Sequence, residues 1–169
     1  MGGAAELRPI GSEDLPFLEM LYASTRDAEL QALAGSEEQR HAFVRLQFEA
    51  QRRHYDRHFR SAQAWIISAA GVPVGRLVVD RRAEEVRVVD ISLLPRYRGR
   101  GLGSQVLREV LREARQTDRP VRLHVDKRNR AKRWYARLGF LTIEDAGAHD
   151  LIEWRPHMES DHHARNADL

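Results

Sequence analysis

The nine residues 96–104, Arg-Tyr-Arg-Gly-Arg-Gly-Leu-Gly-Ser, constrain the fold of this chain more than any other stretch. They stand between the strongest strand signal in the sequence and a clear amphipathic helix. The strand is 86–94, where Val86, Val88, Val89, Ile91, Leu93 and Leu94 predict burial on both faces. Pro95 ends it. The helix is 102–115, with Val106, Leu107, Val110 and Leu111 along one side, and 120–125 reads as the next strand. A strand–helix–strand crossover of this kind is parallel and right-handed. Within the turn, Gly99, Gly101 and Gly103 can take positive φ and let backbone amides approach a ligand closely. Those amides lead into a helix N-terminus and are flanked by Arg98 and Arg100, which makes the turn an anion site.

The rest of the chain supplies the frame. Residues 7–10 predict a short strand. Ser12, Glu13 and Asp14 predict a helix N-cap and an acidic first turn, followed by Leu15, Leu18, Leu21 and Tyr22 at helical spacing. Gly35-Ser36-Glu37-Glu38 starts a second helix, with Phe43, Leu46, Ala50 and Phe59 as its apolar stripe and the other face densely charged. From residue 62 the period changes to 2. Strands are predicted at 64–69 and 74–80 with a turn at 71–73, and a turn at 83–85 leads into 86–94. Beyond 125, a helix over 130–138 ends at Gly139, and strands follow at 140–144 and 151–155. The order β-α-α-β-β-β-α-β-α-β-β predicts a mixed α/β fold. Its central sheet has about seven strands flanked by four helices, in one domain over 1–158 with a polar, disordered tail at 159–169. An edge strand near 151–155 would suit a homodimer.

Composition narrows the chemistry. The 169 residues have 42% hydrophobic and 31% charged content, ordinary for a globular domain. The absence of cysteine removes disulfides, thiolate catalysis and cysteine-ligated zinc, and it agrees with a cytoplasmic location. No apolar run approaches the length of a membrane span. His162, His163 and Asp161 read as a solvated cluster, and no metal is assigned. The net charge of +3 leaves a modest excess of arginine, clustered at 96–100 and 127–133. Nucleic acid is not the expected partner, because the aromatic platform of single-strand binders is missing. Two nucleotide readings of the glycine turn fail on residues. A dinucleotide fingerprint wants glycine or alanine where Ser104 stands, and a Walker loop wants Gly-Lys, which occurs nowhere.

Arg96-x-x-Gly99-x-Gly101 resembles the acetyl-CoA signature Gln/Arg-x-x-Gly-x-Gly/Ala of the GNAT superfamily of N-acetyltransferases, and Asp90-Ile91-Ser92-Leu93-Leu94-Pro95 is similar to that family's fourth strand running into it. Downstream, Asn129 and the Trp134-Tyr135 pair four residues before Gly139-Phe140 resemble its second motif. The resemblance covers roughly residues 6–156 and implies a GNAT fold with a bulged fourth strand that splays from the fifth, acetyl-CoA as acyl donor and an amine as acceptor. It implies that backbone groups of Leu93 and Leu94 pair with the pantetheine arm. The signature residue Arg96 and the amides of Arg98, Gly99, Arg100, Gly101, Leu102, Gly103 and Ser104 would hold the pyrophosphate. Asn129 would contact the CoA arm, and Tyr135 would protonate the departing thiolate.

The expected reaction is direct attack of a primary amine on acetyl-CoA in a ternary complex. The base stays open. Asp90, in a strand read as buried, needs a partner and could serve as base, bind the acceptor amine or anchor backbone. His124 reads as a core histidine, Glu85 as solvated, and Tyr135 taken without the family as a half-buried aromatic with its hydroxyl at the surface. A CoA-holding module without turnover and an RNA-binding domain are the competing readings.

Overall fold

The computed structural model describes residues 4–156. The tail expected at 159–169, with His162 and His163, lies outside the described residues. The elements are β1 (Ala5–Pro9), α1 (Leu15–Ser24), α2 (Asp27–Ala32), α3 (Glu37–His58), β2 (Ala62–Ala69), β3 (Val72–Arg81), β4 (Val86–Leu93), α4 (Leu102–Gln116), β5 (Val121–Asp126), α5 (Ala131–Arg137), β6 (Leu141–Ala146) and β7 (His149–Trp154). Short 3-10 turns at Ser12–Asp14 and Pro95–Tyr97 precede α1 and α4. The seven strands form a mixed sheet in the order β1-β2-β3-β4-β5-β7-β6. Among the described residues there are five α-helices rather than the four expected. The extra one, α2, is a six-residue segment with no buried side chain, too short to show a period. No described helix is long and apolar enough to cross a membrane.

By compactness the chain divides into two units. One comprises the residues up to Val78 and Asp90–Val106, the other Val79–Val89 and Leu107 onward. In the first unit, β1 pairs antiparallel with β2 from Ala5↔Ala69 to Pro9↔Trp65. Leu18 and Tyr22 of α1, Val44 and Phe48 of α3 and Ile66 of β2 form its apolar core, with the Tyr22 and Phe48 ring centroids 5.7 Å apart. Fully burying one such side chain stabilises by about 1.5–3 kcal/mol. The stripe expected on α3 is displaced: Phe43, Leu46 and Ala50 are exposed, and the inward positions are Val44 and Phe48. Apolar residues occupy both registers, and only packing against α1 and β2 decides between them. Ser36 caps α3 by accepting from the Gln39 amide at 3.3 Å while the Gln39 side chain returns to the Ser36 amide at 2.9 Å. Ser12 does not cap a helix. Asp14 does the local work, accepting from the Gly11 amide at 2.8 Å and from Arg8 at 2.6 and 2.8 Å.

The hairpin turn between β2 and β3 lies at Ala70-Gly71, both at positive φ, so Val72 and Pro73 belong to β3 rather than to the turn. The most buried strand is β3, not β4: residues 74–80 are all buried, whereas only Val86 and Val88 of β4 are. Hydrophobic content made β4 look central on both faces, but Val89 and Asp90–Leu93 keep some exposure.

In the second unit, β4 and β5 are parallel at Val86↔Val121 and Arg87↔Arg122, as the crossover demands. Along α4, Leu107, Val110, Leu111 and Ala114 are buried. β7 pairs antiparallel with β5 over six residues and with β6 on its other side. It is therefore an interior strand, and the edge expected near 151–155 is instead β6. Trp154 anchors the strand, 1% exposed beneath the Arg115 guanidinium, which sits 5.4 Å from its ring.

Candidate active site

The anion turn is built by the end of β4. Pro95–Tyr97 forms one 3-10 turn, closed by the Tyr97 amide donating to the Leu94 carbonyl at 2.9 Å, and it redirects the chain away from the strand. Gly99 and Gly101 follow at φ +69° and +84°. A Cβ at either would meet nothing within 4 Å, so backbone conformation rather than crowding calls for glycine there. Gly103 differs from the expectation: it lies inside α4 without positive φ. The Gln105 N–H donates to the Gly101 carbonyl at 3.0 Å. The amides of Gly99, Arg100, Gly101, Leu102 and Gly103 donate to no protein acceptor among the described residues. These five donors stand at the start of a fifteen-residue helix.

The arginines around the turn are arranged in a way the sequence did not reveal. The Arg96 and Arg100 guanidiniums lie 5.1 and 5.9 Å from the Tyr97 ring centroid. Arg98 donates from Nε to the Leu93 carbonyl at 2.8 Å, and the Leu94 amide donates to the Val74 carbonyl at 2.9 Å. Backbone groups expected to meet a pantetheine arm thus already hold protein partners on one side.

Asp90 has the partner its position requires, and sequence reasoning missed its identity. Arg76 Nε donates to Asp90 Oδ2 at 2.8 Å, and Ser92 Oγ donates to the same oxygen at 3.2 Å. Arg76 is itself held by Gln51 Oε1 at 3.0 Å and lies 5.7 Å from the Tyr55 ring centroid. Asp90 Oδ1 accepts no hydrogen bond among the described residues, and the side chain is 20% exposed. Burial first, then the Asp90 charge, pushes the Tyr55 hydroxyl up to about 12, so Tyr55 is a neutral donor throughout the ordinary pH range. A β-strand arginine opposite a β-strand aspartate is the one hint the sequence held, and it needed the β3–β4 pairing to be seen.

Gly75, next to Arg76, sets the spacing here. A Cβ on it would stand 2.3 Å from the Ser92 carbonyl oxygen. Glycine lets β3 approach β4 directly behind Leu93.

The second motif lies in the other unit. Tyr135 is 6% exposed, more deeply buried than the reading that put its hydroxyl at the surface, and its ring packs on Trp134 at 4.7 Å and Phe140 at 5.6 Å. Asn129 turns its Oδ1 to the Ala131 amide at 2.9 Å, which starts α5 and leaves its side-chain NH2 to donate elsewhere. His124 is not a core residue. It is exposed on β5, with Nδ1 3.2 Å from Arg87 Nη1, and partial burial followed by the Arg87 charge lowers its pKa. Glu85, expected in solvent, is 6% exposed and receives Arg82 at 3.2 Å, Arg87 at 2.9 Å and Arg122 at 3.0 Å. Three guanidiniums offset its desolvation. Among the described residues no group of three or more His, Asp or Glu is placed to hold a metal ion.

In the mixed sheet the fourth strand runs through a glycine turn into α4. Residues 19–140 match the model of the acetyltransferase (GNAT) family, and the chain belongs to that family. Solved structures share the fold. A PaiA N-acetyltransferase from Thermoplasma acidophilum in complex with coenzyme A superposes with a TM-score of 0.68 at 18% identity, over 90% of this chain and 99% of that one. An acetyltransferase from Thermus thermophilus gives 0.64 at 20% identity over 90% and 97%. One from Streptococcus agalactiae gives 0.62 at 18% over 90% and 98%. No curated protein matches the chain in sequence.

Proposed function

We propose that this acetyltransferase moves an acetyl group from acetyl-CoA to a primary amine by direct attack. The observation that carries the reading is the set of unpartnered amides from Gly99 to Gly103 at the start of α4, which suits a pyrophosphate. Coenzyme A in the Thermoplasma relative supports the same donor. Arg98 and Arg100 add charge around the turn, Ser104 continues it, and Asn129 offers its side-chain NH2 to the CoA arm.

The chemistry follows from the groups assigned. The free-base nitrogen attacks the thioester carbon, and the carbonyl π pair moves to oxygen. Backbone N–H groups near Leu93 on β4 stabilise that oxyanion. Its collapse breaks the C–S bond, and the Tyr135 hydroxyl gives its proton to the leaving thiolate while the amine proton passes to solvent or a base. For Asp90 the geometry favours acceptor binding. One oxygen is committed to Arg76 and Ser92, and the other is open to accept from an ammonium group. The cysteine-free sequence suits a cytoplasmic location.

Thiol release from acetyl-CoA against a panel of amines, peptides and antibiotics tests the reading, run beside Tyr135→Phe. Wild type should release CoA with at least one amine, and the variant should lose about 10²-fold or more in kcat while still binding CoA. Binding without any release would instead establish the non-catalytic CoA module.

A further inference from the structure

Along α3, Gln47, Gln51 and Tyr55 stand four residues apart and share one face of the helix. Each touches one part of a polar cluster that lies wholly in the first unit. Gln51 holds Arg76, Arg76 holds Asp90 Oδ2, and the Tyr55 ring lies 5.7 Å from the same guanidinium. One turn back along the helix, Gln47 Oε1 accepts from the Tyr22 hydroxyl at 3.4 Å, and the Arg26 guanidinium lies 5.5 Å from the Tyr22 ring centroid. The Asp90, Arg76 and Arg26 charges all act on the Tyr55 hydroxyl, so it is within electrostatic reach of both ends of the cluster. Among the described residues the cluster leaves groups of two kinds unspent. Asp90 Oδ1 is an acceptor without a donor. The Tyr55 hydroxyl and the buried Arg26 Nε are donors without an acceptor. Arg26 Nη1 does reach Glu29 at 3.0 Å, but Glu29 is 58% exposed, and such a pair neutralises little. The Arg26 side chain itself is 39% exposed, which leaves its guanidinium within reach of a ligand.

An amine that donates to Asp90 Oδ1 meets a carboxylate that Arg76 already neutralises, with the Arg26 charge close by. A simple alkylammonium would add a further positive charge there and leave the Tyr55 and Arg26 donors unmatched. A carboxylate on the same molecule corrects both faults. It offsets the charge, and its two oxygens suit a guanidinium fork and a neutral hydroxyl. One helical turn, about 6 Å, separates Gln47 from Gln51 and so sets the scale between the two ends, which suits an amine and a carboxylate a few bonds apart. We infer that the acceptor is an amino acid, its amine held at Asp90 and its carboxylate at Arg26 and Tyr55, with Arg26 as the residue that selects it. The inference rests on the reading above that Asp90 binds the acceptor amine.

Initial rates of thiol release from acetyl-CoA test it, with L-phenylalanine, L-methionine, L-lysine and L-glutamate each run beside its α-carboxamide. At least one of the acids should be a substrate. Arg26→Gln should lower the acid-to-amide ratio of kcat/KM roughly tenfold or more, as one lost charge-assisted contact would give. Comparing the ratio between wild type and variant cancels the difference in amine basicity between acid and amide. Arg26→Lys should keep most of the wild-type ratio, which separates charge from fold. If wild type acetylates other amines but none of these acids, or if the ratio is unchanged in the glutamine variant, the carboxylate assignment is overturned and the acetyl-transfer reading stands. Release of CoA with no amine at all overturns that reading and this one with it.

Discussion

The glycine turn before α4 and the patch around Gly75 and Arg76 both belong to the first unit, and they use the same residue types in opposite ways. In the turn, Gly99 and Gly101 have open space around them and are needed for positive φ. In the patch, Gly75 is needed because a neighbouring backbone oxygen would lie 2.3 Å from any Cβ. The turn's Arg96 and Arg100 are exposed, facing an aromatic ring, whereas Arg76 is buried and ion-paired. An anion-binding surface has to leave its donors unspent. A seat that fixes a carboxylate has to spend them.

The largest expected effect lies in the patch. Arg76→Met leaves Asp90 without its cation in a largely covered position, and urea melts should show a loss of about 3 kcal/mol, the lower end for a broken buried pair. Adding Asp90→Leu should recover much of that loss. If the single variant loses under about 0.5 kcal/mol, an exposed-pair value, the patch is not a buried ionic seat.

Gly75→Ala should cost about 2 kcal/mol, because the Ser92 carbonyl must move. The same shift carries Leu93 with it, so donor affinity should fall alongside stability. Unchanged stability would mean that β3 and β4 are less tightly apposed than described.

In the turn the balance should be reversed. Gly101→Ala meets no atom and should cost only about 1 kcal/mol, the lower end of the left-handed penalty. Its effect on CoA affinity should be greater, about tenfold, because the backbone amides are aimed by that φ. A stability loss without an affinity loss would remove the turn from the donor site.

The remaining test of the patch is a pH dependence. The Tyr55 hydroxyl has an ordinary value of 10.0 and is pushed up to about 12 in the fold. Its folded form therefore holds the proton after the unfolded form has lost it. The associated stability is fully present below pH 10.0 and falls as pH rises towards about 12. Denaturant melts between pH 9 and 11.5 should show a decline in wild type that is shallower in Tyr55→Phe. Equal slopes would mean that Tyr55 is not sealed in by the patch.

The comparison also separates what the sequence determined from what only the fold could decide. Alternating glycine and arginine after a proline-ended strand, then an amphipathic helix, could be read directly, since turn, φ preference and helix start are local properties. The helix start at Gly35-Ser36-Glu37-Glu38 and the parallel crossover of β4 and β5 were legible for the same reason, one within four residues and the other through chirality. The inward register of α3, the burial of Glu85, the exposure of His124 and the interior position of β7 were not. Each depends on which surface is covered by a distant part of the chain, and α3 offers apolar residues in two registers. Arg76, Gln51 and Tyr55 are separated from Asp90 by 14 to 39 positions, and nothing local marks them as its neighbours. Local chemistry thus determined where an anion could sit. Tertiary pairing of β3 with β4 decided how Asp90 is held and which of its oxygens remains open.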